Sequence, residues 1–153
     1  MTLTELLKTE LIFPKIACTT KDELIAELVE RIYDTDRELP LSKEELLETI
    51  YAREKIGGTL LPSGLSIPHA RLKDFDGFVF ALATPAQPLF FEGQEIRLAA
   101  LMITSQSGGP WYLAALAKLT KISRDMEYLA RLDAAENKED FISILRERDS
   151  EIG

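Results

Sequence analysis

The sequence predicts an α/β domain in which helices flank a small group of strands. Three observations lead to this prediction: amphipathic helical repeats toward both ends of the chain, two long apolar runs in its middle, and turn-forming residues between them. With 153 residues the chain has the length of one domain, and we expect a single domain over 1–153. Helices before and after strands are typical of layered α/β packing rather than of a bundle or a sandwich.

The first segment combines a short helix with an extended stretch. We expect the helix over 2–7, with Thr2 at its cap and Glu5 three residues later. The stretch LIFPKIACTT that follows predicts an extended segment. Pro14 interrupts it, because a proline has no N–H to donate to a strand ladder.

Two capping boxes predict where the next two helices begin. In each, a hydroxyl at the cap is followed three residues later by a glutamate: Thr20 with Glu23, and Ser42 with Glu45. Apolar residues recur behind both caps at helical spacing, namely Leu24, Ile25, Leu28, Val29 and Ile32, then Leu46, Leu47 and Ile50. The second helix should end near 53–54, because Gly57 and Gly58 break the helical pattern.

A loop and two strands are predicted for the middle of the chain. Between Gly57 and His69 glycine and proline recur, so we expect a loop in which only LSI forms a short strand. The run GFVFALATP predicts a strand over about 77–84, and EIRLAALMIT predicts another over 95–104. The second run is almost continuously apolar, as in a strand covered on both faces. PAQPLFFEGQ between them is expected to form a turn or an edge segment.

Three helices are expected in the C-terminal part. Pro110 fits the first position of the first helix, where a missing N–H has no cost. A core-facing stripe follows at spacings of three: Leu113, Leu116, Leu119 and Ile122. A further helix is predicted over 126–132, and the last one is capped by Asn137 and extends through Arg146.

Charge and cysteine content exclude several classes of protein. The formal net charge is −8, from 26 acidic and 18 basic residues, and such a field repels a phosphate backbone, so no nucleic acid is expected as a partner. No run approaches the roughly 20 apolar residues that a membrane helix needs, and no secretory pattern is present, so we expect no membrane insertion. Cys18 is the single cysteine, which excludes an internal disulfide, and a reducing, cytoplasmic location is the simplest interpretation.

The single histidine is the first candidate for chemistry. His69 follows Pro68, whose ring stiffens the backbone that leads into it. A neutral imidazole is both a nucleophile and a base near pH 7. Phosphoryl transfer needs such a nucleophile together with positive charge, which Arg53, Arg71 and Lys73 would supply from nearby in the sequence. The alternative is a hydrogen-bonded or solvated loop histidine without chemistry.

Other catalytic arrangements have weaker signals. One histidine cannot build a zinc site of several histidines, HExxH is absent, and no P-loop pattern follows the glycines, so we expect neither a metal nor a cofactor. A serine hydrolase with His69 as its base stays open, although G-x-S-x-G is absent. A carboxylate pair for glycoside chemistry also stays open among the 26 acidic residues.

The stretch AREKIGGTLLPSGLSIPHAR over 52–71 resembles the phosphohistidine motif of a known family. The family is that of the fructose/mannitol-type IIA domains of the bacterial phosphotransferase system (PTS), which includes the nitrogen-regulatory IIA proteins. Its pattern R-E-x-x-x-S-T-G-x-G-x-G-[ILV]-A-[IL]-P-H aligns without a gap. Eight positions match: Arg53, Glu54, Thr59, Gly64, Leu65, Ile67, Pro68 and His69. More diffuse matches cover nearly the whole chain.

The resemblance implies a mixed sheet flanked by helices and a phosphocarrier function. Members of the family accept a phosphoryl group from the phosphocarrier HPr, or from its nitrogen-branch counterpart, and pass it to a IIB domain or act on regulatory target proteins. Carried over, His69 is the phosphoacceptor, Arg53 supports the phosphoryl group, and Thr59 belongs to the active-site loop. No IIB or membrane segment is attached, so we favour the regulatory branch over a sugar-specific transport component.

The sequence departs from the family pattern at five positions. Gly58 replaces the serine, Leu60 and Pro62 replace glycines, and Ser66 replaces the alanine. Downstream the family has a second histidine in the context H-L-x-x-L-x-x-L, where this chain has Tyr112. A tyrosine hydroxyl donates a hydrogen bond but carries no positive charge, so Tyr112 is a candidate substitute or a residue that packs the helix start. The alternative function is a regulatory binding protein of this fold with weakened chemistry.

Overall fold

The structure is a computed structural model that describes residues 6–35, 37–58 and 60–148. Its strands are β1 (Ile12–Ile16), β2 (Leu65–Ser66), β3 (His69–Leu72), β4 (Phe78–Pro85), β5 (Leu89–Phe91), β6 (Gln94–Ile96) and β7 (Leu98–Ser105). Its helices are α1 (Lys21–Tyr33), α2 (Lys43–Gly57), α3 (Gly109–Ile122), α4 (Met126–Ala134) and α5 (Lys138–Glu147). Within the described ranges, none of these helices is long and apolar enough to cross a membrane. Most of the helix predicted over 2–7 lies outside the described residues.

Five of the strands form one mixed sheet. Its centre is the antiparallel pair of β4 and β7, with Phe78 opposite Thr104 at one end and Ala83 opposite Ala99 at the other. β1 lies parallel to β4 on one side, and β2 and β3 lie parallel to β7 on the other. The predicted α/β fold with a mixed sheet flanked by helices is therefore confirmed.

Both faces of the sheet are covered by helices, which explains the continuous apolar character of β7. The side chains of one face pack with α3, α4 and α5, namely Leu98, Ala100 and Met102. Those of the other face pack with α1 and α2, namely Ala99, Leu101 and Ile103. Because successive residues of a strand point to opposite faces, both sets must be apolar.

The pairing of β1 is interrupted at Pro14, as its sequence predicted. Phe13 lies opposite Ala83, and the register has shifted by the time Ile16 lies opposite Pro85. Between them Lys15 adopts a φ of 59°.

The two predicted capping residues begin α1 and α2, but only one of the two capping boxes is complete; in α3 the helix begins at Gly109, so Pro110 is its second residue. Ser42 and Glu45 form a complete, reciprocal capping box at the start of α2. Thr20 accepts a hydrogen bond from the Glu23 N–H at the start of α1, but the Glu23 carboxylate bonds to Thr19 instead of to the cap. The Thr20 hydroxyl therefore satisfies one free N–H of α1. The Glu23 carboxylate accepts hydrogen bonds from Thr19, the residue before the cap.

The single strand predicted over 95–104 is in fact two strands with different partners. β6 pairs with β5 in a hairpin whose turn contains Glu92 and Gly93 at φ of 50° and 83°. β7 starts at Leu98 and joins the main sheet. The change of partner falls at Arg97, whose N–H donates to the Gly64 carbonyl at 2.8 Å. A continuous apolar run cannot reveal this division, because it depends on distant partners.

The core-facing stripe predicted for α3 is wrong in its first part. Leu119 and Ile122 are fully buried, whereas Leu113 is 65% exposed. Three residues turn through about 300° of a helix, about 60° short of a full turn. A stripe at constant spacings of three therefore moves around the helix axis and reaches the opposite side after about nine residues. The buried face of α3 instead includes Ala115, Leu119 and Ile122, at spacings of four and three.

Candidate functional site

His69 is the first residue of β3, an edge strand, and not the loop residue that the sequence predicted. β2 and β3 are two pieces of the same sheet edge, and Pro68 lies in the break between them. The Pro68 carbonyl accepts a hydrogen bond from the Met102 N–H at 3.1 Å, which holds the chain against β7 across the break. The loop prediction failed because His69 pairs with Met102, in a distant part of the chain.

An open cleft of about 460 Å³ lies at this edge, between α2 and the first turn of α3. Its lining comprises Thr49, Arg53, His69, Ala70, Arg71 and Tyr112. The structure therefore brings together three of the four residues that the sequence singled out. The fourth, Thr59, lies outside the described residues.

Arg53 reaches the cleft from the last turns of α2. Its guanidinium donates to the Gly57 carbonyl at 2.9 Å, one of the carbonyls that a helix end leaves without an intrahelical partner. The helix extends to Gly57 rather than ending near 53–54, since the chain leaves the helix only at the glycine pair. This bond restrains the Arg53 side chain, and the guanidinium has further N–H donors for a ligand.

Tyr112 and Arg71 form the opposite wall of the cleft. The rings of His69 and Tyr112 have their centres 5.8 Å apart and are tilted by 36°. The Arg71 Cζ lies 5.6 Å from the centre of the Tyr112 ring. This distance is within the range of about 6 Å for a cation–π contact. Tyr112 thus contacts the histidine and an arginine with its ring.

Three of the lining residues, Thr49, Ala70 and Arg71, were not predicted as site residues. The sequence analysis noted Arg71 only as a nearby charge. It lies two residues after His69 on β3, so the two side chains lie on the same face of the strand. Thr49 lies one helical turn before Arg53 on α2 and was missed, although the helical period would have located it. Lys73 follows the end of β3 and does not line the cleft.

Burial and two arginines lower the pKa of His69. The residue is only 7% exposed, and burial is the largest cause that lowers its pKa below the ordinary value of 6.5. The charges of Arg53 and Arg71 lower the pKa further, while a hydrogen bond to the Ile67 backbone and the charge of Glu54 oppose the shift. A neutral imidazole keeps a lone pair on one ring nitrogen, which is the form that acts as a nucleophile.

We expect the titration of His69 to have its midpoint below 6.5, because the folded protein disfavours the imidazolium. The unfolded chain takes up this proton at a higher pH, so stability is complete above the unfolded pKa and falls as the pH drops toward the folded pKa. Proton NMR reads the midpoint directly, since the chain has one histidine. Urea unfolding between about pH 7.5 and pH 5 should show a smaller acid loss in His69→Gln. A midpoint at or above 6.5 would contradict the prediction.

Comparison with known proteins places this arrangement in a family. The family described as "Phosphoenolpyruvate-dependent sugar phosphotransferase system, EIIA 2" matches residues 5–148. The chain belongs to this family. The resemblance carried by the motif around His69 is confirmed at the level of the family.

The relatives of this IIA protein include regulatory and sugar-specific members. A nitrogen regulatory protein of Bradyrhizobium diazoefficiens is 26% identical over 148 residues, covering 95% of both chains. The 2-O-alpha-mannosyl-D-glycerate-specific EIIABC component of Escherichia coli is 29% identical over 153 residues, which are 97% of this chain and 23% of that protein. The complex of enzyme IIAMTL with phosphorylated enzyme IIBMTL from Escherichia coli contains a chain of the same fold. That chain has a TM-score of 0.69 and 21% identity, covering 93% of this chain and 98% of that one.

A buried ion pair lies beside Arg53 in this IIA protein. Lys21, the first residue of α1, pairs with Glu54 of α2, and their side chains are 7% and 11% exposed. The Lys21 ammonium also lies 4.2 Å from the centre of the Phe91 ring. A Cβ at Gly58 would lie 3.0 Å from a Glu54 oxygen and 3.1 Å from the ammonium. The glycine that replaces the family's serine thus leaves room for this pair.

We expect Ser66→Ala, which restores the residue of the family pattern, to leave stability unchanged or to raise the free energy of unfolding by about 1 kcal/mol. Ser66 is 1% exposed, and among the described residues its hydroxyl has no hydrogen-bond partner. An unsatisfied buried hydroxyl is costly, so its removal relieves that cost. Urea unfolding of the variant measures the difference, and a lower free energy of unfolding would contradict the prediction.

Proposed function

We propose that this IIA protein is a phosphohistidine carrier of the bacterial phosphoenolpyruvate-dependent phosphotransferase system, with His69 as the phosphoacceptor. The observation that carries the proposal is the cleft in which a buried imidazole lies together with two arginines, whose charges lower its pKa. Arg53 supports the phosphoryl group, and Thr59, which lies outside the described residues, keeps the active-site role that the family motif implies. We propose further that the chain is a single IIA domain that works in the cytoplasm.

The chemistry requires few groups. A lone pair on a His69 ring nitrogen attacks the phosphorus of a donor phosphohistidine. The new N–P bond forms as the donor's N–P bond breaks, and the electron pair of the broken bond goes to the donor imidazole. The transferred group is anionic throughout, and catalysis consists of positioning it in line and balancing its charge, which suits the guanidinium donors. Transfer to an acceptor repeats the exchange in the opposite direction.

The proposed donor is HPr or its nitrogen-branch counterpart, and the proposed acceptor is a IIB domain or a regulatory target protein. The chain matches two nitrogen regulatory proteins over nearly the full length of those relatives, which favours the regulatory branch. A sugar-specific relative and a structural neighbour in a IIA–IIB complex support transport as the second candidate. Trp111 and Leu113 are 48% and 65% exposed on either side of Tyr112, and apolar side chains beside the cleft suit a docking protein.

The test is phosphoryl uptake. The protein is incubated with phosphoenolpyruvate, enzyme I and either HPr or the nitrogen-branch phosphocarrier, and its mass is followed. We expect an acid-labile gain of about 80 Da in the wild type and none in His69→Gln. The faster of the two donors indicates the branch, and discharge on adding a IIB domain indicates transport. If the folded wild-type protein gains no mass from either donor, the phosphocarrier function is rejected. The alternative function is then favoured, a regulatory binding protein whose chemistry is weakened by Tyr112.

A further inference from the structure

We infer that Arg71 is a second phosphoryl-binding cation, which the aromatic face of Tyr112 holds beside His69. Tyr112 then acts by positioning Arg71 and not by donating a hydrogen bond from its hydroxyl. The inference rests on the proposed function, because it names the group that binds the transferred phosphoryl. The charge that Arg71 places beside His69, and its dependence on the Tyr112 ring, are also measurable without phosphoryl transfer.

The geometry favours the ring of Tyr112 over its hydroxyl. The ring contacts both functional neighbours, with 5.8 Å to the centre of the His69 imidazole and 5.6 Å to the Arg71 guanidinium carbon. His69 and Arg71 are two residues apart on β3, so their side chains leave the same face of the strand. The first turn of α3 thereby supplies an aromatic surface beside the pair.

No carboxylate among the described residues forms an ion pair with Arg71. None of the ion pairs within the described part of the chain includes Arg71 or Arg53, although the protein carries an excess of eight negative charges. Both guanidinium groups face the same imidazole from different elements, α2 and β3, and both line the cleft. Two cations that have no paired carboxylate among the described residues, beside an imidazole, suit a dianionic ligand, because its negative charge balances theirs.

An exposed arginine needs a restraint in order to bind a ligand well. Its long side chain loses conformational freedom when it is fixed, and this loss opposes binding. Arg53 has its restraint in the Gly57 carbonyl. Arg71 is exposed, and its guanidinium stacks on the Tyr112 ring. This contact restricts the Arg71 side chain before a ligand binds, so less conformational entropy is lost on binding. An arginine fixed on a ring supplies the positive charge that a tyrosine cannot carry.

Four matched variants separate the ring, the hydroxyl and the charge. Tyr112→Phe keeps the ring and removes the hydroxyl, whereas Tyr112→Leu removes the ring and keeps an apolar side chain. Arg71→Gln removes the charge from the cleft, and Lys73→Gln removes the same charge from an exposed position outside it. The rate of phosphoryl uptake is measured in a single turnover with a phosphorylated phosphocarrier as donor.

The expected rates follow from these roles. Arg71→Gln should lose on the order of 10²-fold in rate, as on removal of one preorganised donor, and Tyr112→Leu on the order of 10-fold through misplacement of that donor. Tyr112→Phe should keep the rate within about threefold, well above that of Tyr112→Leu. In the Arg71→Gln background, Tyr112→Leu should cost little more, because the two residues act as one unit. A loss in Tyr112→Phe equal to that in Tyr112→Leu, or a loss in Arg71→Gln no larger than in Lys73→Gln, would overturn the inference.

A second readout separates failure of the inference from failure of the proposed function. The charges that bear on His69 are those of Arg53, Arg71 and Glu54, so loss or displacement of Arg71 should raise the pKa measured by proton NMR. We expect a rise in Arg71→Gln and in Tyr112→Leu but not in Tyr112→Phe. If the wild type gains no phosphoryl group, the proposed function fails. Binding of inorganic phosphate, followed by the His69 resonance, then decides the inference: weaker binding in Arg71→Gln and Tyr112→Leu supports it, and unchanged binding overturns it.

Discussion

If His69 is the phosphoacceptor, as we propose, Arg53→Gln is expected to lower the rate of phosphoryl transfer to it by about 10²- to 10³-fold. The guanidinium lines the cleft beside the imidazole, and its bond to the Gly57 carbonyl restrains it there. A glutamine neither reaches as far nor carries the charge that balances the phosphoryl oxygens. The rate is measured in a single turnover with a phosphorylated phosphocarrier, and the far-ultraviolet circular dichroism of the variant confirms that it is folded.

Lys55→Gln is the matched control for this variant. It removes the same charge from the same part of α2, but Lys55 is exposed and does not line the cleft at His69. We expect its rate to stay within about threefold of the wild type, since surface charges are screened by solvent and salt. Equal losses in the two variants would mean that Arg53 acts only through the general charge of the protein, and an unchanged rate in Arg53→Gln would remove it from the site.

We expect Lys21→Met to lower the free energy of unfolding by about 3–5 kcal/mol. The substitution leaves the Glu54 carboxylate, which is 11% exposed, without the ammonium that pairs with it. A buried charge without a partner is far more costly than the pair itself. Urea unfolding at pH 7 measures the loss. The double variant Lys21→Met with Glu54→Leu should regain most of it, because it replaces both charges by apolar groups.

An exposed ion pair provides the comparison for Lys21→Met. Arg131 and Glu147 pair at 2.7 Å with side chains about half exposed, and Arg131→Met should change the free energy of unfolding by no more than about 0.5 kcal/mol. If Lys21→Met costs as little as Arg131→Met, the burial of the Lys21–Glu54 pair adds nothing to the cost of breaking it. If the double variant is no more stable than Lys21→Met, the cost does not come from the unpaired carboxylate.

The parts of the fold that local chemistry determines were predictable from sequence. Capping residues located the starts of α1, α2 and α5, because a side chain at the cap satisfies backbone N–H groups only a few residues away. The apolar run of β7 indicated burial on both faces, which the two helical layers confirm. The cleft was predictable in part, since Arg53 and His69 belong to one motif whose spacing is visible in the chain.

The features that were missed depend on contacts between distant segments. β3 is a strand because it pairs with β7 from His69 opposite Met102 onward, and nothing local to His69 signals that partner. The division between β6 and β7 has the same origin, since each takes a different neighbour. The contact of Arg71 with Tyr112 joins β3 to α3. Strand alternation would have placed Arg71 on the face of His69, but only the fold brings the Tyr112 ring against it.

The departures from the family pattern have local physical explanations where the structure describes them. Gly58 leaves room for the Lys21–Glu54 pair, because a Cβ there would press on both charged groups. Ser66 is a buried hydroxyl that strand pairing tolerates at some cost. By the resemblance, Tyr112 corresponds to the second histidine of the family, and in the structure its ring contacts His69. Under our proposal, Arg71 supplies the positive charge that this replacement removes.

The most direct test of His69 as the phosphoacceptor is nitrogen NMR of protein labelled with ¹⁵N-histidine. The chain has one histidine, so the two ring nitrogens of His69 are the only imidazole nitrogens in the spectrum. After incubation with phosphoenolpyruvate, enzyme I and the phosphocarrier, we predict that one ring nitrogen shifts and couples to phosphorus, and that acid restores the original spectrum. A gain of about 80 Da in mass with both nitrogen resonances unchanged would place the phosphoryl group on another residue and contradict the proposed mechanism.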